Sequence, residues 1–131
     1  MIGRNLLFVS LLLMCANAYG ALGVTGLRVM TQKNPQGIDD TEPCFSWKLE
    51  SDERSVLQTS YRIVVTEGAS DGSVVWDSGV IESSESSNVP AEGISLQPST
   101  RYFWSVTVRD NKGNEARSDE QAYFDTGLMG S

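Results

Sequence analysis

The chain has 131 residues, 40% hydrophobic and 21% charged, with ten basic against seventeen acidic residues, a net charge of −7 and no histidine. That size and balance allow one globular domain and no second core, and the acidic surplus excludes the basic face that nucleic acid or an anionic membrane surface requires. With no histidine and two cysteines, zinc ligation and Ser-His or Cys-His nucleophilic arrangements are out of reach.

The opening "MIGRNLLFVSLLLMCANAYG" has a cationic start at Arg4, an apolar run from Leu6 to Met14 and the small-residue stretch Ala16-Asn17-Ala18. These are the three parts of a secretory signal peptide, cleaved after Ala18 or Gly20. Residues 1–20 are therefore read as a leader and 21–131 as the mature domain, exported to the periplasm or the extracellular space. The apolar run is shorter than the roughly 20 residues of a permanent span, and no later segment is apolar enough to be one. A lipid anchor on Cys15 is the alternative, disfavoured because Met14 stands where lipoprotein signals prefer a small residue. Loss of Arg4 leaves nine basic and seventeen acidic residues, a charge of −8. Cys44 is then the only cysteine, so no intrachain disulfide can form. It reads as a small buried residue beside Phe45; a reactive thiol would have no histidine to activate it.

The mature chain shows short β-rich runs separated by turn chemistry and no sustained 3.6-residue periodicity, which is an all-β pattern. "GLRVMT" is the first strand, followed by the turn-rich loop "KNPQGIDDTEP". In "CFSWKLE", Phe45, Trp47 and Leu49 share one face while Ser46 and Lys48 share the other. "SDERSVLQT" is polar ground leading into "SYRIVVTE", with Tyr61, Ile63 and Val65 inward and Arg62 and Thr66 outward. "GASDG" turns the chain into "SVVWDSG". "VIESSESSNVPAEG" is weakly patterned, with a short edge strand expected around Ser86 to Val89. In "ISLQPSTRYFWSVTVRD" strict alternation sends Tyr102, Trp104, Val106 and Val108 inward, and Phe103, Ser105, Thr107 and Arg109 outward. "DNKGN" is a hairpin turn, and "EQAYFDTG" is the last strand. About seven short strands in some 110 residues match an immunoglobulin-like or fibronectin type III β-sandwich.

The spacing Leu96, Pro98, Thr100, Tyr102 resembles the tyrosine corner of fibronectin type III domains. The resemblance implies that the leucine plugs one end of the sandwich, the proline stiffens the turn and the tyrosine hydroxyl bonds back to upstream backbone. Trp47, on the second strand, matches the buried tryptophan common in these domains.

Little chemistry remains to be assigned. The carboxylates Asp39, Asp40, Glu42, Asp52, Glu53, Asp119 and Glu120 fall in loops, where they read as solvated charge that keeps a β-protein from self-association. "GIDDTE" lacks the oxygen spacing of an EF-hand loop, and no glycine-rich phosphate loop opens a helix. We therefore assign no catalytic residue, metal ligand or cofactor. Outward aromatics on β-sandwich modules can stack on sugar rings; the candidates are Trp76, Phe103 and Tyr123, which read more simply as cover for the outer sheet or contacts with another domain.

Over nearly all of residues 24 to 128, with "NPQGID", "FSWKLESDER", "WDSG" and "FDTGL" as the most specific pieces, the chain resembles the N-terminal fibronectin-like domain of bacterial α-L-rhamnosidases. Cys44 and Ser55 depart from that pattern, standing where an arginine and a glycine are usual. The resemblance implies a non-catalytic accessory domain whose partners are the neighbouring domains of a secreted glycoside hydrolase, with rhamnose-containing polysaccharide as a further expected partner. In the family the acidic residues that invert the glycosidic bond lie in a later helical barrel. No residue here corresponds to them, and truncation, gene fragmentation or design would account for the separation. The other two readings are a free-standing carbohydrate-binding module and a fibronectin-type module that recognises protein through a strand edge.

Burial of the Trp47 indole predicts that Trp47→Ala costs about 3–5 kcal/mol and unfolds the domain; a cooperative thermal melt shifted only slightly from the parent's would contradict that placement.

Overall fold

Alternating side chains give each strand one apolar face, and two such faces must close on each other to leave water. The structure, a computed structural model, describes residues 22–129; the leader read over residues 1–20, with Cys15, lies outside them. Nine strands form: β1 (Leu22–Val29), β2 (Cys44–Ser51), β3 (Gln58–Glu67), β4 (Ser73–Asp77), β5 (Ile81–Glu82), β6 (Val89–Pro90), β7 (Arg101–Asp110), β8 (Glu115–Arg117) and β9 (Ala122–Asp125). One sheet has the order β1-β2-β6; the other has β4-β3-β7-β8, with β5 also paired to β3 and β9 to β7. Every strand pairing is antiparallel. The architecture is the expected immunoglobulin-like sandwich.

The differences from expectation sit where the chain bends. β1 starts at Leu22 and stops at Val29, because Met30 and Thr31 adopt positive φ (51° and 67°) and turn the chain away. The edge strand expected at Ser86 to Val89 forms only at its end, where Val89 pairs with Phe45, and a short strand not expected from the sequence pairs Ile81 with Tyr61. The last strand, expected over residues 120–127, forms as β9, and a further short strand, β8, pairs with β7 ahead of it, with residues 118–121 between the two. The additional strands β5 and β8 turn about seven strands into nine. Cys44 is half-buried, since it alternates with Phe45 and therefore faces away from the core. Thr66 points to the outer side as expected but is buried, its hydroxyl donating to the Ala69 carbonyl at 2.6 Å.

β7 is central. Tyr102, Trp104, Val106 and Val108 are all buried and face β2 across the sandwich, where the Phe45 and Trp104 ring centroids lie 4.4 Å apart. Phe45 also meets Phe124 at 6.1 Å, and Tyr102 stacks on Phe124 at 5.4 Å. Aromatic contacts at these separations add to simple area burial. The Tyr102 hydroxyl accepts the Gln97 N–H at 2.7 Å. Leu96 packs half-buried against the core, while Pro98 is exposed in the turn.

Trp47 is buried against Tyr61 at 5.3 Å, and its indole N–H donates to the Gln58 side-chain oxygen at 2.8 Å. The Gln58 amide in turn donates to the Ser83 and Glu85 carbonyls at 3.0 and 2.7 Å. One buried amide thus ties β2, β3 and the loop after β5. Among the described residues, no buried side-chain nitrogen or oxygen lacks a partner.

Three aspartates are held in the charged form. Arg62 bonds Asp77 through two nitrogens and the Gly79 N–H adds a third bond, lowering the Asp77 carboxyl to about 2. Arg101 grips Asp125 the same way, at 2.7 and 2.9 Å, and lowers it too. Burial alone would raise Asp110, but hydrogen bonds from the Asn114 and Lys112 backbones and the Asn114 side chain outweigh it. Asp110 thereby closes the β7–β8 hairpin.

Gln58→Leu leaves the Trp47 N–H and two carbonyls without their partner and should cost about 1–3 kcal/mol in chemical denaturation; an unchanged midpoint would exclude the bridging role. Because each depressed carboxyl stabilises the fold above its unfolded value and loses that contribution as pH falls through its folded value, the melting temperature should hold near neutrality and drop from about pH 4 towards 2. Asp110→Asn should make that acid slope shallower, and an identical slope would remove Asp110 from the account.

Candidate functional site

Two of the four most specific pieces of the sequence resemblance, "NPQGID" and "FDTGL", are distant in the chain and adjacent in the fold. The Asp125 N–H donates to the Pro35 carbonyl at 3.0 Å, the Ile38 N–H to Asp125 at 3.0 Å and the Gly127 N–H to Ile38 at 2.7 Å. Ile38 and Thr126 form a parallel bridge. Side chains finish the clasp: Asn34 Oδ1 accepts the Tyr123 N–H at 3.0 Å, and Asp39 Oδ1 accepts the Met129 N–H at 2.9 Å. A Cβ on Gly127 would lie 2.6 Å from Asp39 Oδ1 and 3.0 Å from the Gly37 carbonyl, so the close approach requires glycine. Thr126 links the clasp to the tyrosine corner: its hydroxyl donates to the Gln97 carbonyl at 2.6 Å and accepts the Thr100 N–H at 2.9 Å. Residues 125–129 are therefore held to the body of the domain on two sides.

The second feature is a cleft of about 420 Å³ on the outer face of the larger sheet, between Val64, Thr66 and Phe103 on one side and Arg117, Asp119 and Gln121 on the other. It opens because pairing along the final stretch is interrupted. Ser118 bonds Val106, and Ala122 pairs with Trp104, so three residues bulge opposite Ser105 alone. Bulges of this sort redirect side chains and end pairing. Glu120 turns from the bulge towards the other sheet, where its carboxylate accepts the Leu27 N–H at 3.4 Å. That N–H is available because β1 has its own register shift between Thr25 and Arg28, with Gly26 at φ 63°.

The three aromatic candidates do not form one site. Phe103 and Tyr123 are cross-strand neighbours on the outer face, with ring centroids 5.9 Å apart. The Arg101 guanidinium lies over the Tyr123 ring at 4.0 Å. Trp76 instead pairs with the inward-facing Val65, packs towards Phe45 at 6.3 Å, and donates its indole N–H to the Glu92 carbonyl at 2.9 Å. It closes one side of the core. The structural residues Trp47, Leu96 and Tyr102 lie at the core, with Pro98 in the turn beside it.

Two of the loop carboxylates brace the backbone: Glu42 accepts the Gly93 N–H at 3.1 Å and Asp39 the Met129 N–H at 2.9 Å. Asp77, Asp110 and Asp125 are all lowered, opposite to the raised carboxyl of a general acid at neutral pH. No group of three or more potential metal-ligating side chains occurs among the described residues. Among the described residues, no helix is long and apolar enough to cross a membrane. Gln58, Thr126 and Glu120 were not distinguishable in the sequence, since each polar side chain gains its role only from a partner far along the chain.

The family model for the Rha78A-like, N-terminal immunoglobulin domain matches residues 24–130. An α-L-rhamnosidase of Streptomyces avermitilis is 39% identical over 113 residues, 85% of this chain and 11% of the relative. A Formosa agariphila α-L-rhamnosidase is 34% identical over 75% of this chain and 11% of its own. Among solved structures, the S. avermitilis α-L-rhamnosidase complexed with L-rhamnose superposes with a TM-score of 0.76 over 83% of this chain and 11% of that one. The α-L-rhamnosidase from Dictyoglumus thermophilum superposes at 0.73, 36% identical over 82% of this chain and 12% of that one. The chain thus spans about 11% of the length of the curated relatives it matches. Matched by the family model over both the clasp and the sandwich, it belongs to the family of Rha78A-like, N-terminal immunoglobulin domains.

Proposed function

We propose that this chain is a non-catalytic accessory domain of an α-L-rhamnosidase-type glycoside hydrolase, packing against and spacing the domains that follow it. The observation that carries the reading is the family match over residues 24–130 to a domain that is N-terminal in much longer enzymes. The clasp gives that role a physical basis. A domain that orients its successor needs a stiff exit, and residues 125–129 leave the sandwich held by the Asn34–Asp39 loop on one side and the Gln97–Thr100 turn on the other. Export follows from the leader read over residues 1–20, and hydrolysis is assigned to later domains of the parent enzyme.

The purified chain should release no product from an aryl rhamnoside above the buffer rate. Placed in the S. avermitilis enzyme instead of that enzyme's own N-terminal domain, the chain should keep activity and thermal stability close to the parent's. Gly127→Ala in the same chimera should strain the clasp by about 1–3 kcal/mol and lower the temperature of inactivation. Turnover by the chain alone would overturn the reading, as would a chimera no more stable than the enzyme lacking any N-terminal domain.

A further inference from the structure

We propose that the cleft between Phe103 and the Ser118–Gln121 bulge is a binding site for a neutral saccharide of one or two rings. Its volume, about 420 Å³, lies within the range of small-ligand sites, roughly 300–1,000 Å³. Phe103 is half-exposed and forms its apolar wall beside Val64. Tyr123 continues that wall, but Arg101 covers one of its faces, so Phe103 is the ring available for stacking. A sugar has what this wall needs: a face of C–H bonds that packs on an aromatic ring, rimmed by hydroxyls that seek hydrogen bonds.

The opposite rim supplies those bonds. The Asp119, Gln121 and Ser70 side chains make no hydrogen bond or ion pair within the described residues, and Arg117 makes only a 3.5 Å contact with Ser105. Donors and acceptors are therefore both present. The positive charge of Arg117 is offset by Asp119 across a chain of net charge −7, which selects a neutral polyol over an anion. The rim is also held in place. Glu120 fastens the bulge to β1 through the Leu27 N–H, and Ser118 Oγ accepts the Val106 N–H at 3.1 Å, so the unpaired side chains on either side of Glu120 project from a fixed backbone. The site does not depend on the accessory-domain reading.

The test is a titration of the uniformly ¹⁵N-labelled chain with L-rhamnose, D-glucose, D-galactose and their neutral disaccharides, with glucuronate as the anionic control. At least one neutral sugar should shift the amide resonances of Ser105, Arg117 and Asp119 to Gln121 saturably, with a dissociation constant on the order of 1 mM. Phe103→Ala should weaken that binding about tenfold or more. The double variant Asp119→Ala/Gln121→Ala, which changes only exposed side chains, should do the same with an unaltered melt. The proposal is overturned if no neutral sugar gives saturable shifts, if the shifts centre elsewhere, if the double variant binds as the parent does, or if glucuronate binds more tightly than every neutral sugar.

Discussion

The structure depends on one row of side chains. Tyr102, Trp104, Val106 and Val108 project from β7 into the space that Phe45 and Trp47 enter from β2, and the Phe45 to Trp104 contact at 4.4 Å joins the two layers. Because successive residues alternate between faces, this row can be buried in only one register; slipping by one position would place Phe103, Ser105 and Thr107 in the core and four apolar groups in water. β7 also pairs with β3 on one side and with β8 and β9 on the other. Fixing its register therefore fixes the larger sheet, and through Phe45 it fixes the smaller one.

The segments around that row are organised by a few buried or half-buried polar groups, each placed where backbone would otherwise lack partners. Gln58 satisfies the Trp47 indole and two loop carbonyls. Tyr102 accepts from Gln97, and Thr126 fastens the same turn to the end of the chain. Glu120 joins two bulges on opposite sheets. Buried polar groups are costly unless bonded, so these residues act as address labels as well as braces: a wrong pairing of loops would strand them.

The clasp and the cleft use the same frame differently. In the clasp, backbone groups of the Asn34–Asp39 loop extend the sheet hydrogen bonding by a short parallel bridge to Thr126, which makes the exit of the chain part of the rigid body. In the cleft the final stretch gives up pairing for three residues, and the side chains of Asp119 and Gln121 are left pointing at solvent beside an aromatic ring. The first arrangement suits a domain that must hold a neighbour in one direction. The second leaves exposed donors and acceptors beside a half-exposed ring.

Alternation, turn residues and the Leu96 to Tyr102 spacing were enough to give the sandwich, the faces of β2, β3 and β7, and the tyrosine corner, because each of these depends on a local period or a fixed short spacing. The resemblance carried by "NPQGID" and "FDTGL" pointed to the family that the match over residues 24–130 established. Nothing local revealed that those two segments touch, that Trp76 packs towards the core and not outward with Phe103 and Tyr123, or that pairing along the final stretch breaks to open a cleft. Those outcomes rest on contacts between residues tens of positions apart, such as Asn34 with Tyr123 and Leu27 with Glu120. A one-dimensional pattern encodes which face a side chain occupies; only closure of the two layers decides what it meets there.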